Sequence, residues 1–296
     1  MVTVRLFDGL GNQMFQYAVG RTIAHRRRAS LALDASVFRD HKLRRYSLGV
    51  FNITEDFAPG ASPHRGKVGD LCLRFRPRGF GRLRALYRRF HPLRRPNLLR
   101  EKSFAFDPSV LEAPADVYLE GYWQSEKYFR EIEDIIRREF SFKIEPDQQN
   151  REMAARIKGV NAVAVHVRRG DYVSDPATNE HHGTCPPEYY RQGAQLIAAR
   201  VLDPHFFVFS DEPDWARSNL ELGGPATFVT QNGPEKGYED LRLMALCRHH
   251  IIANSSFSWW GAWLSNSGGI VVAPKKWFNQ DDMDTRDLIR TGWVQL

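Results

Sequence analysis

Apolar and polar positions along the chain fall into blocks whose period changes. VTVRLF (2–7) reads as a strand and runs into a glycine turn, GLGN (9–12). QMFQYAVGRTIAHRR continues as a helix, and LALD (31–34) reads as a second short strand. A strand, a turn, a helix and a strand open an α/β domain. VYLEGYW (117–123) reads as a further strand. EKYFREIEDIIRREF (126–140) sets Phe129, Ile132, Ile136 and Phe140 three or four residues apart, which predicts one amphipathic helix.

FKIEPDQQN (142–150) is polar and turn-rich, so a domain boundary is expected there, between residues 1–150 and 151–296. Beyond it the alternation is regular. NAVAVHV (161–167), HFFVFS (205–210), ATFVT (226–230), HIIAN (250–254) and GIVVAP (269–274) read as strands. Helices are expected over 186–200, 213–219, 237–249 and 255–265, and a polar loop over 174–185. Continuous apolar strands alternating with helices predict a parallel sheet covered on both faces. Trp259, Trp260 and Trp263 lie at helical spacing, which favours packing on the sheet over a sugar platform.

A length of 296 residues suits two domains, and 42% hydrophobic content suits packed cores. Cys72, Cys185 and Cys247 are scattered without C-x-x-C spacing, which argues against a disulfide framework or structural zinc. The N-terminus lacks the basic leader and apolar core of a signal peptide, and no run of about 18 apolar residues occurs. The expectation is a cytoplasmic protein, soluble or peripheral at the inner membrane face. The net charge of +7 is uneven: residues 65–100 hold 12 Lys and Arg against one acid, Asp70. The segment reads as a basic insertion at about 60–100, with one short amphipathic helix near 80–90. A surface so charged suits an anionic membrane or an anionic acceptor. No aromatic-interleaved module accompanies it, so no nucleic acid is expected.

Ligands of open α/β sheets sit outside the carboxyl ends of the strands. Strand 161–167 delivers His166, Arg168, Arg169, Gly170 and Asp171. Strand 205–210 delivers Ser210, Asp211 and Glu212, and strand 250–254 delivers Asn254, Ser255 and Ser256. Arginine donates bidentate bonds to phosphate, and a helix starting at Ser255–Ser256 offers free N–H groups. Taken singly, each cluster also fits a salt bridge or a helix cap. Together they suit a polar, anionic ligand such as a nucleotide or phosphate ester.

GLGNQMFQYA (9–18), HVRRGDY (166–172), FSDEPDW (209–215) and YEDLRLMALCRHHIIANSSFSWWGAWL (238–264) resemble the bacterial α-1,2-fucosyltransferases, glycosyltransferase family 11. The motifs span both halves in order, and NSSFSWWGAWL is the most specific. The resemblance implies two Rossmann-like lobes of GT-B type glycosyltransferase architecture, the N-terminal one on the acceptor side and the C-terminal one binding GDP-β-L-fucose. It implies inverting transfer of L-fucose to the 2-hydroxyl of a galactoside, with no metal or cofactor required. The acceptor would be a galactose-terminated glycan or a lipid-linked oligosaccharide. By the same resemblance Arg168 grips the diphosphate, and His166 and Asp171 line the donor site. Asp211, Glu212 and Asp240 are candidates for guanine and ribose. Asn254, Ser255, Ser256 and Phe257 would hold the β-phosphate, and Gly11, Asn12 and Gln13 would lie near the transferred sugar.

A metal-free transferase needs a fixed cation and N–H donors where charge builds on the departing phosphate, which Arg168 and the helix start supply. The residue that takes the acceptor proton stays open among His166, Asp171, His181 and His182, as does a loose transition state needing little base. Gly9-x-Gly11 with Asp34 imitates a dinucleotide fingerprint, but Met14 stands at its third glycine position. Asp282-x-Asp284 imitates a metal motif, and surface acids are the better reading. The alternatives to the fucosyltransferase are a non-catalytic nucleotide- or polyanion-binding protein and a transferase using another GDP-sugar.

Overall fold

A computed structural model describes residues 1–40, 44–63, 97–265, 267–280 and 283–296. The helix expected near 80–90, most of the basic stretch, Cys72 and Asp282 lie outside the described residues. The chain divides into two compact units, Met1–Phe140 and Ser141–Leu296.

The first unit holds an all-parallel sheet of β1 (Val2–Arg5), β2 (Leu31–Asp34), β3 (Asn97–Arg100) and β4 (Val117–Glu120). Its order is β2-β1-β4-β3. Helix α1 (Leu10–Arg27) buries most of its length, from Gly11 to Ala24. Gly20 permits its close approach to the sheet: a Cβ there would lie 3.0–3.2 Å from Leu31 and Val4 side-chain atoms. Strand β3 is a finding against the sequence expectation, because the last four residues of the supposed basic insertion are sheet. It is an edge strand, mostly exposed, so no apolar alternation marked it.

The single amphipathic helix expected over 126–140 is also corrected. Two 3₁₀ turns, Glu126–Tyr128 and Arg130–Ile132, precede α2 (Glu133–Glu139). Phe129 leaves the helical region, with φ −133° and ψ 9°. The break sends Tyr128 onto Phe106 and Trp123, at 4.8 and 5.7 Å between ring centroids, while Phe129 meets Phe15 at 6.1 Å. Packing of two aromatics outweighs the local period.

In the second unit α3 (Gln148–Lys158) precedes β5 (Asn161–Val167). There follow α4 (Gly170–Ser174), α5 (Pro176–His182), α6 (Pro187–Ala198), β6 (Pro204–Ser210) and α7 (Pro213–Asn219). Then come β7 (Ala226–Val229), α8 (Gly237–Leu246), β8 (His249–Ile251), α9 (Ser256–Leu264), β9 (Val271–Ala273) and β10 (Val294–Gln295). The sheet is parallel throughout in the order β10-β9-β8-β5-β6-β7. Val163, Val165 and Val167 face a core with Tyr190 and Ile197 of α6 and Ala216 of α7. The three tryptophans of α9 are buried. Helix α3 packs on α8 and β5, so its residues belong to this unit although the sequence boundary fell within it.

Candidate functional site

Strands β8, β5 and β6 are neighbours, so their carboxyl ends share one edge of the second sheet. The three clusters read from the sequence meet there. Arg168 ties two of them: its guanidinium pairs with Asp171 and, at 2.7 Å, with Asp211. Its Cζ lies 5.2 Å from the centre of the Tyr172 ring. Arg169 donates its backbone N–H to Asp211 and its Nε–H to Glu212, both at 2.9 Å, and lies 3.7 Å from the centre of the Trp215 ring. Gly170 admits the Asp211 carboxylate, since a Cβ there would sit 2.7 Å from its Oδ2. Two arginines thus face three carboxylates, and an anion arriving at Arg168 competes with Asp171 and Asp211 for its N–H groups.

His166 joins the third cluster, its ring 5.5 Å from that of Phe257. Burial, and secondly the charge of Arg168, push its pKa down to about 3. The imidazole is therefore neutral near pH 7 and a weak proton acceptor. Its buried Nδ1 has no hydrogen-bond partner. Ser255 precedes the first turn of α9, where Ser256 and Phe257 present N–H groups that an α-helix leaves without internal partners.

Asn254 is buried just past the end of β8. Its Nδ2 donates to the carbonyls of His182 (2.9 Å), Trp277 (3.2 Å) and Gly183 (3.3 Å). It fixes the end of α5, a helix within the stretch expected to be a polar loop. There the His182 ring stacks on Tyr172 at 4.5 Å and 4°. His181 instead contacts Gln280 through Nδ1 at 2.8 Å. Asp240 lies in a separate network: its Oδ1 accepts from Asn232 (2.8 Å), whose amide exchanges two 2.9 Å bonds with Asn150. Burial raises the Asp240 pKa to about 7 against the opposing hydrogen bond from Asn232.

In the first unit, the edge formed by β1 and β4 carries a second polar group. Asn12 Oδ1 accepts from Gln124 Nε2 (2.8 Å), and Asp8 accepts from the Tyr122 hydroxyl (2.8 Å). Gly11 is buried in the first turn of α1. Gln13 is fully buried and spent on the chain, donating to the Asp8 and Arg45 carbonyls and accepting from Ser47 N–H. Asp8 and Trp123 take φ of 61° and 58°, an uncommon backbone state for such residues. Asp34 accepts from Tyr118 (2.6 Å) and Ser36 (3.0 Å), so the acid of the supposed dinucleotide fingerprint is engaged within the fold. Tyr172, Trp215 and Gln124 escaped the sequence reading. The first two stand inside quoted motifs, while Gln124 directly follows the apolar run 117–123. No group of three or more His, Cys, Asp or Glu suited to a metal ion occurs among the described residues. Among them, too, no helix is long and apolar enough to cross a membrane.

Comparison with known proteins adds the family. An α-1,2-colitosyltransferase of Escherichia coli is 33% identical over 307 residues, covering 100% of this chain and 99% of its own. The human galactoside α-(1,2)-fucosyltransferase 1 is 26% identical over 163 residues, 52% of this chain and 45% of that protein. Among solved structures, the NodZ α-1,6-fucosyltransferase soaked with GDP-fucose aligns over 88% of this chain and 91% of its own, with a TM-score of 0.48 and 17% identity. The family model described as glycosyl transferase family 11 matches residues 101–296. With a full-length relative at that identity and a family match over most of its length, the chain belongs to glycosyl transferase family 11.

Proposed function

We propose that the protein transfers L-fucose from GDP-fucose to the 2-hydroxyl of a galactoside, with inversion and without a metal ion. The observation that carries this reading is the placement of Arg168 just past the carboxyl end of β5, paired to Asp211 and Asp171 and two residues from His166, whose ring meets Phe257 in the first turn of α9. When the nucleotide departs, negative charge gathers on its β-phosphate. A guanidinium already oriented by Asp211, together with N–H groups from the first turn of α9, meets that charge with little reorganisation. The second unit is the donor side and the first the acceptor side. His166, neutral and buried, serves as a hydrogen-bonding wall of the donor site rather than as the proton acceptor. Asp240, whose carboxyl holds its proton up to about pH 7, suits a hydrogen bond to the base or ribose.

The names of the relatives share an α-1,2 linkage and differ in the sugar, fucose in one and colitose in the other. The colitosyltransferase similarity favours a second reading in which another deoxy sugar replaces fucose on the same nucleotide. A lipid-linked acceptor would bring the enzyme to an anionic membrane surface, with residues 65–100 as the contact. The test is GDP release from GDP-fucose with a panel of β-galactosides, run with and without EDTA. An α-1,2-fucosylated product formed at equal rate under both conditions is expected. Failure with every galactoside would refute the transfer, and loss in EDTA would refute the metal-free step.

A further inference from the structure

Tyr172 touches both Arg168 and His182. The Arg168 guanidinium lies 5.2 Å from the centre of its ring, and the His182 imidazole stacks on that ring at 4.5 Å with 4° between the planes. The His182 ring meets Phe278 in turn, at 5.4 Å. The His182 backbone carbonyl accepts from Asn254 Nδ2 at 2.9 Å. Asn254 is 2% exposed and directly precedes Ser255, where α9 begins. The backbone of Tyr172 is held as well, its carbonyl accepting from Asn179 Nδ2. Asn279 secures the same segment, donating its N–H to the His181 carbonyl at 2.9 Å and its Nδ2 to the Asn179 carbonyl at 3.0 Å. A continuous set of contacts therefore runs from Arg168, past the end of β5, to Asn254, past the end of β8.

Helices α4 and α5, which carry Tyr172 and His182, bury none of their residues. The two rings are held by stacking and by hydrogen bonds to their backbone rather than by burial in the core. A long, flexible arginine serves a phosphate best when its fork is fixed beforehand. Asp171 and Asp211 fix the Arg168 fork through its N–H groups. An arriving phosphate competes for those same groups. An aromatic ring attracts the guanidinium without taking an N–H from it, so this contact persists when the anion binds. We propose that Tyr172, backed by the stacked ring of His182, is a positioning residue for Arg168. It keeps the guanidinium in place while a diphosphate displaces the carboxylates. Through His182 and Asn254 it also ties that guanidinium to the N–H groups at the start of α9. The inference rests on the reading of Arg168 as the diphosphate anchor and deepens it. It makes His182 a stacking partner rather than the acceptor of the galactoside proton.

The test is a double-mutant cycle in the full chain, read as kcat with GDP-fucose and a β-galactoside and as GDP affinity by calorimetry. Tyr172→Leu is expected to lower both by roughly 2- to 30-fold, the range of one cation–π contact. Tyr172→Phe, which keeps the ring, should recover most of that loss. The galactoside KM is expected to stay at the parent value. In an Arg168→Ala background, Tyr172→Leu should cost nothing further, since the ring then has no guanidinium to hold. His182→Ala should act in the same direction as Tyr172→Leu. His182→Phe, which restores a ring but no proton acceptor, should recover most of what His182→Ala loses. Should Tyr172→Leu fail to fold, His182→Ala carries the same cycle, because it leaves the carbonyl that Asn254 holds. Equal costs of Tyr172→Leu with and without Arg168 would mean that the ring serves the fold alone and would overturn the proposal, as would an unchanged kcat and GDP affinity. A loss in His182→Phe as deep as in His182→Ala would overturn the stacking role. Coupling of Tyr172 to Arg168 in GDP affinity, with no fucose transfer by the parent, sinks the fucosyl reading and leaves the positioning standing. Transfer by the parent without coupling sinks the positioning alone.

Discussion

Replacing Arg168 by alanine separates a catalytic from a structural role. The side chain is 23% exposed and pairs with Asp171 and Asp211, which are 35% and 26% exposed. Partly solvated pairs of this kind are worth about 0–1 kcal/mol each. Asp211 keeps the Arg169 N–H at 2.9 Å, so it is not abandoned. The folding cost is therefore about 0–2 kcal/mol, a drop in Tm of several degrees at most for a chain of this size. The cost to turnover is larger. Loss of one donor aimed at developing charge removes roughly 100- to 1,000-fold in kcat, about 2.7–4 kcal/mol. The assay is GDP release at saturating GDP-fucose, paired with a thermal melt. Arg168→Lys should recover only part of the loss, because one ammonium cannot replace a fork paired with two carboxylates. A kcat within about fivefold of the parent would refute the assignment. A Tm lowered by more than about 10 °C along with the activity would move Arg168 to the scaffold.

Three further outcomes follow from the same geometry. Burial makes Asp240 hold its proton more tightly in the folded chain than an ordinary aspartate does, up to about pH 7, so the cost of ionising it is absent below about pH 4 and complete above about pH 7. Asp240→Asn should therefore raise Tm at pH 8 and leave it nearly unchanged at pH 4; a pH-independent difference in thermal melts would contradict this. Gln13→Ala strands Ser47 N–H and the Asp8 and Arg45 carbonyls, and should cost about 2–4 kcal/mol in urea unfolding. Unchanged stability would show that the segment does not depend on Gln13. Gly170→Ala pushes a methyl against Asp211 Oδ2 and should weaken GDP binding measured by calorimetry, whereas Gly9→Ala, with open space at its Cβ, should fold as the parent does.

The parallel sheet of the second unit was legible because its strands are buried on both faces, so runs such as NAVAVHV and HFFVFS are nearly all apolar. The strand-end clusters followed from that sheet. Helix α3 was not legible, since it buries only Asn150 and Ile157 and shows no apolar stripe. The edge strand β3 was hidden for the same reason. Helices α4 and α5 are short and bury none of their residues, and α5 is fixed by Asn254 and Asn279 from elsewhere in the unit. In the first unit a local pattern cannot tell a polar side chain that faces a ligand from one that staples the backbone. Gln13 and Gln16 look alike in GLGNQMFQYA, and both turn out to hold the backbone, Gln13 at the Asp8 and Arg45 carbonyls and the Ser47 N–H, Gln16 at the Phe7 N–H.

The order β2-β1-β4-β3 has a consequence for biosynthesis. Strand β4 pairs with β1 across more than a hundred residues, Thr3 opposite Tyr118 and Val4 opposite Leu119. Until the ribosome has released residue 120, the edge of β1 away from β2 shows backbone N–H and C=O groups with no strand to pair them. Such distant closure slows folding, since chain entropy is spent before contacts repay it. The nascent first unit is thus the stage at which the chain most needs a chaperone, and translation pausing shortly after β4 should help it reach the native state.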